Sequence, residues 1–182
     1  MRIIAGEAKN KLLKTRKGTD TRPTLGSVKE SLFSIVAPYI PESRFLDLFA
    51  GSGSISLEAL SRGASRAIMI EKDGEALKYL IENINNLGYE DRCRAYKNDV
   101  LRAVEILGRK GEEFDIIFMD PPYKDNVCTK VIKAIQKNKI LAEDGLIIAE
   151  HHLFEDLESE IGEFKKVDER KYGKKCISFY TR

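Results

Sequence analysis

The chain is 182 residues long, 42% hydrophobic and 33% charged, with a formal net charge of only +2, which fits one domain with a sizeable core, spanning 1–182. No apolar run approaches a membrane span, and the N-terminus lacks a signal peptide's apolar stretch, so a cytoplasmic protein with no membrane partner is expected. Cys93, Cys128 and Cys176 are an odd number at wide spacings, which argues against a disulfide framework or a zinc site and leaves them as reduced packing residues.

In chain order, Met1 to Thr15 reads as a β-hairpin with its turn near Glu7–Asn10, followed by a polar linker through Asp20. Residues 1–20 would form a basic extension packed on or beside the domain. Residues 1–30 carry eight Lys/Arg against three acids and residues 164–182 carry seven against two, so each end is +5 and the middle −8. An acidic body with basic ends fits a nucleic-acid substrate gripped by its phosphates. Lys9, Lys11, Lys14, Arg16, Lys17 and Arg22 are the candidate contacts, Arg22 also as a cofactor-closing residue. Ser27-x-x-Glu30 has capping-box spacing, so a helix is expected to start nearby with Val28, Leu32, Ile35 and Val36 on one face.

Arg44 to Leu60 reads as a strand, a glycine-rich turn and an amphipathic helix. Gly51 and Gly53 let the backbone approach a ligand beside the N–H-rich start of a helix. A dinucleotide site would prefer a third glycine where Ser56 stands. Asp47, at the strand's end, suits a cationic or hydroxyl-bearing ligand better than a diphosphate. About 20 residues on, the strand Ala67–Glu71 ends in an acid placed for a ribose diol. Leu77, Leu80, Ile81 and Ile84 make a helical core stripe before Gly88. Cys93–Lys97 is a third strand, ending at Asn98-Asp99.

The apolar run Phe114–Met119 leads into Asp120-Pro121-Pro122-Tyr123. Two prolines fix the turn and remove two N–H groups, leaving carbonyl acceptors beside a carboxylate and an aromatic ring. An exocyclic amine on a base can donate one hydrogen to the carboxylate and one to a proline carbonyl while the ring stacks. Asp47, Glu71, Asp99 and Asp120 thus recur at strand ends along one edge of a parallel sheet, where open α/β sheets bind ligands. Val127, Val131 and Ile135 mark another helix and Gly145–Glu150 a further strand. His151 and His152 are expected at the surface or in a loop, and no metal is expected. Phe164–Arg170 and Cys176–Thr181 read as a closing antiparallel hairpin. The architecture implied is α/β: a seven-stranded, mostly parallel sheet with helices on both faces and an N-terminal hairpin.

On these residues the chain resembles the S-adenosylmethionine-dependent class I methyltransferases, of Rossmann-like fold. The narrower resemblance is to the bacterial family that methylates a guanine N2 amino group in 16S ribosomal RNA. It rests on Arg2-Ile3-Ile4-Ala5-Gly6, Arg22-Pro23-Thr24, and Leu57-Glu58-Ala59-Leu60-Ser61-Arg62-Gly63-Ala64. Ser54 and Ser56 depart from the small or glycine residues expected after Gly53. The resemblance implies S-adenosylmethionine held by Asp47, Phe49, Gly51, Gly53, Glu71, Lys72, Asn98, Asp99 and Asp120. It implies a target amine held by Asp120, Pro121, Pro122 and Tyr123, and action on small-subunit RNA or the 30S particle; a monomer is expected. The Asp-Pro-Pro-Tyr element specifies amine chemistry more firmly than RNA, so a DNA adenine or cytosine amino methyltransferase and a catalytically silent RNA-binding factor stay open.

Overall fold

The computed structural model describes residues 1–15, 24–122 and 126–182, and of Thr24 and Leu25 the backbone alone. Arg16, Lys17, Arg22 and Tyr123, with the expected linker, lie outside the described residues.

Five α-helices are described, α1 (Thr24–Ile35), α2 (Ser54–Ser61), α3 (Gly74–Leu87), α4 (Val100–Arg109) and α5 (Val127–Asn138), with a short 3-10 helix at Ala37–Tyr39. The strands are β1 (Arg44–Asp47), β2 (Arg66–Glu71), β3 (Cys93–Lys97), β4 (Phe114–Met119), β5 (Leu141–His152), β6 (Glu160–Ile161), β7 (Phe164–Tyr172) and β8 (Lys175–Thr181). They form one sheet of order β3-β2-β1-β4-β5-β8-β7-β6. The pairs from β3 to β5 are parallel, and β8, β7 and β6 add antiparallel. The sheet has eight strands where seven were expected, because two-residue β6 pairs on the edge of β7.

Parallel strands covered on both faces read as near-continuous apolar runs, and Phe45-Leu46 of β1 and Ile116–Met119 of β4 do so because helices bury them from both sides. Helices α1 to α3 close one face and α4 and α5 the other, giving two apolar layers about the sheet. Each fully buried ring, such as Phe45 or Phe114, contributes roughly 1.5–3 kcal/mol. Strand ends become helix starts through acids: Asp73 accepts from the Glu75 and Ala76 N–H groups, and Asp99 from that of Leu101. Gly88, at φ +71°, ends α3.

The helix expected near Ser27 is α1, with Ser27 inside its first turns. Two expectations change. Strand β5 runs from Leu141 to His152, longer than Gly145–Glu150, because Leu141 pairs with Phe114 and both histidines pair with β8. His151 is accordingly buried and its Nε2 lies 2.9 Å from the Ser178 hydroxyl. The three cysteines are buried and free.

The N-terminal hairpin forms with its turn in the expected region. Leu13 and Ile3 donate to the Met1 and Lys11 carbonyls, and Arg2 and Leu12 make an antiparallel bridge.

Candidate active site

Strand order reverses between β1 and β4, and at such a point adjacent loops diverge and leave a crevice at the carboxyl ends of the strands. Asp47 ends β1 there and is only 1% exposed. Its Oδ1 accepts from the Phe49 N–H at 3.2 Å and its Oδ2 from the Ser56 hydroxyl at 2.8 Å. Burial pushes the Asp47 carboxyl up to about 7, against the pull of those two bonds. Ser56 therefore replaces a dinucleotide-type glycine with a hydroxyl that supports the acid beneath the turn.

The two glycines of the turn do different work. Gly51, at φ +55°, has open space where a side chain would stand, and its N–H donates to Glu71 Oε2 at 2.7 Å. At Gly53, φ +84°, a Cβ would lie 2.4 Å from Leu80 Cδ1. Gly53 thus seats α2 against α3 and does not face the cleft.

Glu71 also accepts from the Asp73 N–H, so its carboxylate joins the glycine turn to the start of α3. Beyond it opens a cavity of about 600 Å³ whose walls include Phe49, Glu71, Lys72, Asp99, Val100 and Pro122. Lys72 lies 3.3 Å from Asp99, whose carboxyl sits below its usual range: burial raises it, but Lys72 and the backbone N–H groups of α4 outweigh that. Asn98 caps its neighbour's N–H and stands outside this wall.

Asp120 follows the last residue of β4. Beside it, Phe49, Glu71, Pro121, Pro122 and Lys175 border a shallow recess. A second cavity, about 500 Å³, runs from Asp47, Phe49 and Asp120 to a wall made by the N-terminal hairpin and α1, including Ile4, Leu12 and Lys29. Burial raises the Asp120 carboxyl to about 7, with the charges of Glu150 and Asp47 adding and Lys175 opposing. Glu150 was not among the expected site residues, although it closes the apolar run of β5 beside β4 just as Asp120 follows the apolar run of β4. Met119 pairs with Ala149, which sets Asp120 and Glu150 side by side at the same edge. Glu150 is buried, lines the cavity and forms an ion pair with Lys175 of β8.

Lys29 and Glu58 were also missed. Glu58 is fully buried and accepts from the Ile4 and Ala5 N–H groups, from Lys29 at 2.9 Å and from Arg62 at 2.8 Å. Lys29 further reaches the Ser54 hydroxyl and the Arg2 carbonyl. This buried network holds the hairpin as a wall of the cavity; the signal for it was an acid inside an otherwise apolar helix. Among the candidate RNA contacts, Lys9 and Lys11 are exposed on the hairpin, whereas Lys14 is ion-paired with Glu82 of α3. The C-terminal basic cluster is largely neutralised locally, with Lys166 on Glu169, Arg170 on Asp168, Lys175 on Glu150 and Arg182 on Glu163. No cluster able to hold a metal occurs among the described residues, nor any helix long and apolar enough to cross a membrane.

The family model "Conserved hypothetical protein 95" matches residues 1–181. The chain is 37% identical over 182 residues to the Bacillus subtilis "Putative rRNA methyltransferase YlbH", covering all of this chain and 99% of that protein. It is 32% identical over 182 residues to the Ribosomal RNA small subunit methyltransferase D of Escherichia coli, covering 90% of that protein. The solved "Putative methyltransferase yhhF" of Escherichia coli superposes with a TM-score of 0.89 at 32% identity over all of this chain and 97% of the other. A Thermus thermophilus 16S rRNA methyltransferase solved with AdoMet and guanosine shares the fold, at a TM-score of 0.72 and 20% identity, over 91% of this chain and 44% of that one.

Proposed function

The chain belongs to the conserved hypothetical protein 95 family, within which it resembles the small-subunit ribosomal RNA methyltransferases D, and on that premise we propose that it methylates the N2 amino group of a guanosine in small-subunit ribosomal RNA. S-adenosylmethionine is the methyl donor. The observation that carries the reading is Asp120 at the crevice between β1 and β4, lining the same cavity as buried Asp47, with Pro121 bordering the adjoining recess.

The residues fit this cofactor. A cationic sulfonium is favoured near the carboxylates of Asp47, Asp120 and Glu150, which line one cavity. Glu71 retains acceptor capacity for ribose hydroxyls after taking two backbone N–H groups. The adjoining cavity, with Leu48, Val100, Leu101 and Pro122 in its walls, offers apolar surface to a purine, and Asp99 at its rim offers an acceptor. When bound, the cofactor supplies an electrophilic methyl carbon; N2 gains the C–N bond, the C–S electron pair returns to sulfur, and N2 sheds one proton.

The guanine N2 lone pair is delocalised into the ring. By accepting its two hydrogens, Asp120 and the Pro121 carbonyl localise density on nitrogen and aim it, which is positioning and electrostatic work. Asp120, with its carboxyl lifted to about 7, is matched to receive the surplus proton near neutral pH. A base reaches such a pocket only when unstacked, so a loop or bulge is the target. Tyr123 follows directly in sequence and is the stacking residue proposed.

The test is radiolabelled methyl transfer to small-subunit particles, to deproteinised small-subunit RNA and to duplex DNA, with the product digested to nucleosides. N2-methylguanosine from RNA is expected, and at saturating cofactor Asp120→Asn should lower turnover roughly 10²- to 10³-fold, with cofactor binding weakened far less and not lost. Label on DNA alone, or loss of cofactor binding in the variant, would overturn the assignment.

A further inference from the structure

Glu150 is a buried carboxylate to which the proposed transfer gives no contact with the target base, yet it stands beside the residue that makes one. Its side chain is 8% exposed, it lines the same cavity as Asp47 and Asp120, and the parallel register of β4 and β5 sets it level with Asp120. Lys175, on the neighbouring strand β8, supplies its countercharge and also borders the recess at Pro121 and Pro122. Two acids, one just past the end of β4 and one level with it on β5, offer two adjacent acceptors to one planar edge.

We infer that Glu150, held by Lys175, is a specificity-determining acceptor for a ring N–H that neighbours the exocyclic amine of the target base. The inference rests on the proposed methylation of a base amine and deepens it. Guanine carries the N1–H next to its 2-amino group on one edge, so that edge presents donors only at both positions. With the amine on Asp120 and the Pro121 carbonyl, the N1–H falls to Glu150. Adenine and cytosine carry a lone pair on the ring nitrogen next to their amines. Against a buried carboxylate that lone pair is repelled and both groups lose their hydrogen bonds to water, a cost that rejects the base. The site therefore separates guanine from the other amino bases by an acceptor aimed at the ring nitrogen.

The discriminating probe is 2-aminopurine, which keeps the 2-amino group and has a lone pair at N1. The methylated guanosine is mapped first, then replaced by 2-aminopurine or adenosine in otherwise identical RNA. A hydrogen bond to a charged group is worth about 1.5–3 kcal/mol, so the wild type should prefer guanine over 2-aminopurine by roughly 10- to 150-fold in kcat/KM. Glu150→Gln, whose amide can turn a donor toward the lone pair, should bring that preference within about threefold. Because intrinsic amine reactivity cancels in the comparison of variant with wild type, a pair that merely ties β5 to β8 would shift the melting temperature and leave the preference unchanged.

Equal use of the two bases by the wild type overturns the inference with no variant needed, as does an unaltered preference in a folded, cofactor-binding Glu150→Gln. Absence of N2-methylguanosine with the wild type defeats the underlying reading instead, and is recognised because guanine itself goes unmethylated.

Discussion

Two buried carboxyls, Asp47 and Asp120, sit where a cation is proposed to bind, and both are lifted to about 7 in the free protein. A sulfonium beside them favours their ionised forms, so binding below pH 7 must release protons. Cofactor affinity is expected to rise between about pH 5 and 7, up to tenfold per pH unit for each carboxyl that must ionise, and to level off above. Calorimetric titrations in buffers of different ionisation enthalpy check this, and a flat affinity from pH 5 to 8 would show both acids already ionised. Ser56→Ala removes a bond that stabilises the Asp47 carboxylate, so it should weaken cofactor binding a few-fold, and more at pH 6 than at pH 8. At this scale the acids at strand ends were readable because each sits at a boundary between an apolar run and a turn. Gly53 was read as a cleft residue, but its steric reason is Leu80, a contact between helices that no local spacing encodes.

Among elements, the hairpin and α2 meet almost without clearance. A Cβ on Gly6 would lie 1.8 Å from the Ser61 carbonyl oxygen and 2.3 Å from its carbon, backbone atoms that cannot yield, and Gly6 is at φ +85°. Gly6→Ala should therefore cost of order 2 kcal/mol or more and undock the hairpin, whereas Gly88→Ala, at φ +71° with open space around it, should cost about 1 kcal/mol. Thermal midpoints that fall in the opposite order would refute this account of the dock. If the hairpin grips RNA, Lys9→Glu with Lys11→Glu should reduce the logarithmic salt slope of binding by roughly 0.7–0.9 for each phosphate that is no longer neutralised. Lys14→Glu should change that slope less, since Lys14 already pairs with Glu82. Strands β1, β3 and β4 were legible as apolar or β-rich runs of the right length. Helix α4 was not read, although Val100, Ala103, Val104 and Leu107 form its buried stripe, and β6 is too short to leave a pattern.

At the scale of the molecule, acids gather at the carboxyl edge of the sheet while the N-terminal hairpin carries exposed lysines, an asymmetry that a net charge of +2 conceals. The buried pair also shapes stability. Asp47 and Asp120 have raised carboxyls, so between about pH 4 and 7 the folded state holds protons that the unfolded chain has released, and stability falls as pH rises through that window. Glu7, Asp99 and Asp115 sit below their usual range and act oppositely, costing stability as pH falls below about 4. The cofactor-free protein is thus expected to melt highest near pH 5 and lower at pH 7.5, with saturating cofactor narrowing or inverting the difference in scanning calorimetry. Two of the three segments behind the narrower family resemblance, Arg2–Gly6 and Leu57–Ala64, prove to be two sides of one contact, since Glu58 and Ser61 of α2 take the main-chain N–H groups of Ile4, Ala5, Glu7 and Ala8. A segment gripped by its backbone is indifferent to most of its outward side chains. The positions of Lys9 and Lys11 are therefore free to drift while the mount stays fixed, so the RNA contact proposed for the hairpin can be readdressed without disturbing the sheet behind it.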